Sequence, residues 1–260
     1  MLLPQLQSKS AVQWNVTRTI VQSGSVNELA DGSFLRGGVL RPLRRTWDLE
    51  YVGLTGTEFD ALAEFAYMVN KVEEGFVFVD PMANMLRQSE DLTEAAWIRS
   101  AFCDVTAIGV GDHGMAVHEV ASQSAGVESL SQDVNVSGQG WLCGSCWVRT
   151  EGAASGAVIM RSGTGVWRSG FVAGPEWHRV RVSGLVTMES EPMQFTIEVI
   201  PDGTVEVRGV QLEHQACASG YKPSAEVAGI HLGSRIVDGS FVGTRQAANW
   251  FDCRFRIVAG

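Results

Sequence analysis

Apolar and polar side chains alternate at the start of the chain. Val12, Trp14, Val16 and Ile20 fall at even spacing with Gln13, Asn15, Thr17 and Thr19 between them, the period of a strand with one buried face. Asp31-Gly32 supplies a turn, and the alternation resumes at Trp47, Leu49 and Tyr51 against Asp48 and Glu50. A helix is predicted next. Thr55 can act as its N-cap, Glu58 closes a capping box, and Leu54 and Phe59 stand where a hydrophobic staple needs them. Phe59, Leu62, Phe65 and Ala66 mark one apolar face at helical spacing, suited to covering a sheet. Phe76-Val77-Phe78-Val79 then reads as a short buried strand, stopped at Asp80-Pro81 because proline cannot donate to the ladder.

Beyond Pro81 the pattern changes. Residues 84–97 are polar and irregular, and from about His113 to Tyr221 strand-length pieces (MAVHEV, WLCGSCWV, AVIM, HRVRV, QFTIEVI, VEVRGVQLE) alternate with glycine-rich turns, the signature of a β-sandwich or jelly roll. At the far end Phe251, Cys253, Phe255 and Ile257 alternate with Asp252, Arg254 and Arg256. A lone terminal strand cannot bury its apolar face, so it should join the N-terminal sheet. The expected fold is mainly β. Residues 1–82 and 225–260 form a discontinuous β-domain with one covering helix, and residues 83–224 form an inserted β-sandwich or jelly roll.

Composition narrows the function classes. Twenty basic against 29 acidic side chains give a net charge of −9, which repels phosphate backbones, so nucleic acid is not an expected partner. The opening MLLPQLQSKS is too short in apolar residues for a signal peptide, and no apolar run suits a bilayer, so a soluble chain made in a cytoplasm, with no membrane insertion, is expected. Cys103, Cys143, Cys146, Cys217 and Cys253 are odd in number and lack the spacing of a disulfide framework; free thiols are the default.

The stretch QGWLCGSCW at 139–147 resembles the active-site segment of papain-like cysteine proteases, with Cys146 as nucleophile. That chemistry needs the cysteine at a helix start, held as thiolate by the dipole and a histidine. Gly152 and Gly156 follow instead, the glutamine lies one residue too far upstream, and His231 and Asn249 come well short of the roughly 130-residue separation that site requires. As a strand the stretch puts Leu142, Cys146 and Val148 on one face and Trp141, Cys143, Ser145 and Trp147 on the other. Zinc bound by Cys143, Cys146, His214 and Cys217 meets the same objection, since strand positions three apart face opposite ways. Glu73-Glu74 and Glu189/Glu191 read as solvated turns, and RSGTGVWRSG lacks the lysine and helix of a phosphate loop. No catalytic set, metal site or cofactor is expected.

Two further resemblances cover most of the chain. NMLRQSEDLTEAAW at 84–97 and GVQLEHQACASGYKPS at 209–224 are similar to the opening and closing segments of carbohydrate-binding-like jelly rolls in tailed-phage tail and fibre proteins. Met85 and Leu92 depart from that pattern. WDLEYVGLTGTEFDALAEF at 47–65 with FVFVDP at 76–81 resembles tail-tip and baseplate proteins of the distal-tail kind. The resemblance implies a non-enzymatic subunit of the virion tail, assembled in the host cytoplasm as a homo-oligomeric ring of six or three copies. Tail tube, hub and baseplate proteins would be its neighbours, and the jelly roll would face outward, toward a host-surface glycan or another subunit.

Glycan-binding sandwiches offer aromatic faces to sugar rings, which makes the eight tryptophans candidates. Trp14, Trp47, Trp97 and Trp250 are assigned to cores. Trp167, between Gly165 and Gly170 and beside Arg168, has the most loop-like setting, with Trp141 second; Trp167, Trp141 and Arg168 form the predicted carbohydrate site.

Overall fold

The structure, a computed structural model, describes residues 1–13, 15–21, 25–37, 44–163, 165–188 and 192–259. In chain order its strands begin with β1 (Val16–Val21), β2 (Ser25–Glu28), β3 (Phe34–Gly37), β4 (Arg44–Thr55) and β5 (Phe76–Val79). Helix α1 (Gly56–Val69) lies between β4 and β5. Then come β6 (Ile98–Arg99), β7 (Cys103–Val110), β8 (Ala116–Ser122), β9 (Glu128–Val134) and β10 (Gly138–Arg149). After them run β11 (Ala154–Ser162), β12 (Gly165–Ala173), β13 (His178–Met188), β14 (Met193–Val199) and β15 (Thr204–Glu213). The chain closes with β16 (Ile230–Ile236), β17 (Val242–Ala247) and β18 (Trp250–Ala259). The fold is mainly β, as the alternation predicts.

The chain divides into two compact units, Met1–Ala11 with Val77–Ile230 and Val12–Phe76 with His231–Gly260. In the second, β18 pairs antiparallel with β4, so that Phe255 faces Leu49 and Ile257 faces Trp47 across the ladder. β1 continues the sheet beyond β4, and β16 and β17 also pair with β18. Trp47, Leu49, Tyr51, Cys253, Phe255 and Ile257 are all buried, with the Tyr51 and Phe255 rings stacked at 5.6 Å.

α1 begins at the predicted capping box: the Glu58 amide donates to Thr55 Oγ1 at 3.4 Å and the Thr55 amide donates to Glu58 Oε2 at 3.0 Å. Its buried face is Leu62, Phe65, Ala66 and Val69, and Phe59 stacks on Phe251 at 4.7 Å. Two core assignments are corrected. Ile20 is 52% exposed, since neither face of β1 is covered from Thr17 to Val21, and Trp250, at the start of β18, is 53% exposed. Trp14 and the Glu189/Glu191 turn lie outside the described residues.

The other unit is a β-sandwich of two five-stranded antiparallel sheets, ordered β13-β10-β15-β8-β7 and β12-β11-β14-β9-β6. Leu142, Cys146, Val148, Val205 and Val207 of the first sheet join Val158, Met160, Phe195 and Ile197 of the second in one buried core. The polar stretch at 84–97 adds Met85, Leu86, Leu92 and Trp97 to that core. Residues 1–11, grouped by sequence with the terminal segments, cluster instead with the sandwich. Leu2, Leu3 and Leu6 are buried, Leu2 bridges to Val77 and Ser10 to Gln215.

Side-chain amides finish several ladders where a strand partner runs out. Gln5 accepts from the Trp141 amide at 2.6 Å and donates to the Trp141 carbonyl at 2.9 Å, just past the last β10–β15 pair, Cys143 with Glu213. Gln132 does the same to Arg87 (2.7 and 2.9 Å), and Gln13 to Val52 (2.8 and 3.1 Å). A primary amide presents the same donor and acceptor as a peptide group, so each pair keeps backbone polar groups satisfied.

Candidate functional site

β10 places its cysteines on opposite sides of a sheet, as the strand reading of QGWLCGSCW requires. Cys146 is buried in the sandwich core and burial pushes its thiol up to about 12, so it is held as the neutral thiol rather than the nucleophilic thiolate. Cys143 faces outward, and the two cannot reach one metal ion together. Among the described residues no three His, Cys, Asp or Glu side chains are grouped to hold a metal.

The predicted carbohydrate set is not brought together. Of RSGTGVWRSG, Arg161 and Ser162 end β11 and Gly165–Gly170 lie in β12, and the two strands pair antiparallel. Along β12 Trp167 shares its side with buried Phe171 and Ala173, so it points inward and packs, half-buried, against the core. Its indole lies so close to Gly184 of β13 that a Cβ there would collide with the ring. Arg168 faces the opposite way, and with Arg161 (3.0 Å) it binds Glu198 of β14. Trp141 sits in the other sheet, with the Lys9 ammonium 3.9 Å from its ring centroid.

The motif segments at 84–97 and 209–224 instead build a clasp. Asn84 is fully buried, and its amide donates to the Val210 carbonyl (2.8 Å) and accepts from the amides of Leu86 (3.1 Å) and Leu212 (2.9 Å). Ser89 meets the Tyr221 hydroxyl at 2.8 Å and accepts from the Ser224 amide at 2.9 Å, while Tyr221 donates to Glu90. Trp97 Nε1 donates to the Gln88 carbonyl at 3.0 Å. These residues hold the two ends of the sandwich sequence together, so the motif has a packing role.

What remains on the outward face of the β13-β10-β15 sheet is a row of cations and aromatic rings. Across the ladders Trp147 of β10 stands directly opposite Arg179 of β13 and Arg208 of β15. The Arg179 guanidinium lies 4.1 Å from the Trp147 ring centroid. That indole covers Gly209, whose φ of +58° and lack of Cβ admit it; a Cβ would come within 2.6 Å. Trp177, just before β13, has the guanidinia of Arg208 and Arg149 at 4.2 and 4.7 Å from its centroid. Arg149 is paired with Glu206 at 2.7 Å, and Glu119 lies across the ladder from Glu206.

Arg208 is 7% exposed, burial lowers its pKa, and its Nε has no hydrogen-bond partner among the described residues. What this face offers a hydroxyl-rich ligand is Arg149, whose side chain is 40% exposed, and the half-buried Trp147 and Trp177 rings, while Arg208 is buried. Sequence reasoning placed Trp147 on the outward face but missed Trp177 and the arginines. The signal was present in HRVRV and VEVR, where arginines and glutamates alternate with inward valines.

No protein-family model matches the chain. No curated protein matches it either. Among solved structures the chain has likenesses of low identity. An enzymatically active domain of tailspike protein 4 from bacteriophage CBA120 matches at 11% identity and a TM-score of 0.40, over 52% of this chain and 22% of that one. The carbohydrate-binding module TmCBM61, solved with β-1,4-galactotriose, matches at 16% identity and a TM-score of 0.40, over 51% of this chain and 99% of that module. The CBM22-1–GH10 modules of Clostridium thermocellum xylanase 10B, solved with xylohexaose, match at 15% identity and a TM-score of 0.38, over 56% and 30%.

Proposed function

We propose that the chain is a structural, non-enzymatic subunit of a tailed-phage tail tip or baseplate. It assembles into a homo-oligomeric ring through the Val12–Phe76 and His231–Gly260 unit and displays the sandwich outward. The observation that carries this reading is the surface of that unit. Its edge strand β1 carries Ile20 (52% exposed) and Val21 (48%), and Val52, Val242 and Trp250 are also exposed. Edge strands with apolar side chains invite pairing, and a subunit that buries them against its neighbours removes the liability. The motif resemblances supply the phage context, and the insertion of a complete sandwich between β5 and β16 fits a display module.

A second reading, recognition of a surface carbohydrate, is favoured by the Arg149, Trp177 and Arg208 face. A single aromatic stack contributes on the order of 1 kcal/mol, so one subunit would bind weakly and a ring would bind by avidity. An antiserum raised against the chain should decorate the tail end of intact phage particles by electron microscopy. Label confined to the capsid, or none on particles whose proteins include this chain, would contradict the proposal.

A further inference from the structure

The chain carries three Asp-Gly pairs, Asp31-Gly32, Asp202-Gly203 and Asp238-Gly239. An aspartyl residue followed by glycine can cyclise, because no Cβ shields the following amide nitrogen from the side-chain carboxyl carbon. Two of the three pairs are restrained. At the first, Asp31 Oδ1 accepts from the Ser33 hydroxyl (2.6 Å) and amide (2.9 Å), which hold the carboxyl below its usual range, and the Gly32 amide donates to the Leu29 carbonyl (2.9 Å). At the second, the Gly203 amide donates to the Ile200 carbonyl (3.1 Å), the Asp202 amide donates to the Ser124 carbonyl (3.1 Å), and Gly203 is buried. The third repeats the first in sequence, Asp-Gly-Ser-Phe at 31–34 and again at 238–241, but not in bonding. Ser240 is turned to β18: its Oγ accepts from the Arg256 amide at 3.1 Å, and its own amide donates to the Val237 carbonyl at 3.0 Å. Asp238 and Gly239 are exposed, and neither the Asp238 carboxylate nor the Gly239 amide has a hydrogen-bond partner among the described residues.

We infer that Asp238 is a site of spontaneous isoaspartate formation in the folded chain, and that Asp31 and Asp202 are protected by the bonds around them. The Gly239 amide nitrogen attacks the side-chain carboxyl carbon of Asp238 in its acid form. The new N–C bond forms as the amide loses its proton and the C–OH bond breaks, so one water leaves and a five-membered succinimide remains. Water then re-enters. Addition at the side-chain carbonyl restores aspartate, while addition at the main-chain carbonyl leaves the chain running through the side-chain carbon as an isoaspartyl residue. One water is lost and one gained, with no oxidant or other co-reactant. At Asp31 and Asp202 the same attack requires a hydrogen bond of the glycine amide to break first, and at Asp31 those of the carboxylate as well. An isoaspartyl residue adds a methylene to the main chain in the turn between β16 and β17, beside the Ser240–Arg256 bond that ties this turn to β18.

The test is prolonged incubation of the full chain in mildly acid buffer, folded and in parallel unfolded in guanidinium chloride, until the unfolded sample has converted at all three pairs. Peptide mapping by mass spectrometry, with a protease that cuts before aspartate but not before isoaspartate, reads each site. The unfolded chain should convert at similar rates at all three. In the folded chain Asp238 should convert about tenfold faster than Asp31 or Asp202, the order of factor that breaking one hydrogen bond imposes. Asp238→Glu, whose cyclisation needs a larger ring, should abolish conversion at that position. Ser33→Ala, which removes the hydroxyl bond to Asp31, should raise conversion at Asp31 toward that of Asp238. Equal conversion at the three sites of the folded chain, faster conversion at Asp31 or Asp202, or an intact Asp238 when the unfolded sample has converted would each overturn the inference.

Discussion

Replacing Asn84 by alanine should destabilise the sandwich by about 3–5 kcal/mol, a large part of the 5–15 kcal/mol that holds a typical domain folded. The side chain is fully buried and satisfies three backbone groups at once, the carbonyl of Val210 and the amides of Leu86 and Leu212. Each group left without a partner in the interior costs about 1–3 kcal/mol. Asn84→Asp should do comparable harm by another route, since a carboxylate would face the Val210 carbonyl and bury a charge. Urea unfolding followed by tryptophan fluorescence reads the loss. A change under about 1 kcal/mol for Asn84→Ala would mean that the 84–97 segment decorates the sandwich rather than closing it.

Acid should loosen the same unit before most of its carboxylates protonate. Burial lowers His214 to about 4 from an ordinary 6.5, and its Nε2 lies buried beside Gly140 with no hydrogen-bond partner among the described residues. Burial also lowers His118, whose Nε2 accepts from the Leu92 amide at 3.2 Å and so must stay unprotonated; the nearby Asp91 and Glu90 oppose that shift. Both imidazoles bind protons more weakly folded than unfolded. Their stabilisation is therefore complete above about pH 6.5 and is lost as pH falls toward their folded values. For His214 alone the loss is about 2 kcal/mol at pH 5 and about 3 kcal/mol at pH 4. His214→Gln should flatten the urea midpoint between pH 7 and pH 5 by most of that amount. An unchanged slope would place the imidazole in contact with water.

Where one face of an element was apolar and the other polar, the sequence predicted it: β4, α1, β10 and β18 follow from Trp47/Leu49/Tyr51, the Thr55–Glu58 box, Leu142/Cys146/Val148 and Phe251–Ile257. β9 escaped because Gln132 is turned inward to satisfy Arg87, which breaks the apolar period. β12 escaped because Gly165 and Gly170 look like loop residues, although Phe171 and Ala173 keep strand alternation. The same misreading made Trp167 a surface residue. Burial by the partner sheet, here Gly184 under the indole, depends on packing that local spacing does not encode. The role of residues 1–11 was hidden for a similar reason, since Gln5 acts through a backbone 136 positions away. For the candidate face, Trp147, Arg179 and Arg208 become neighbours only through the β13-β10-β15 ladder.

The assembly role is tested most directly by the mass of the full-length chain in solution, measured by sedimentation velocity over a range of micromolar concentrations. The reading predicts a discrete closed species of six or three chains, shifted toward monomer by Ile20→Asp, which puts a charge on the exposed edge strand. A chain that stays monomeric throughout, or an oligomer that Ile20→Asp leaves intact, would contradict assembly through that edge.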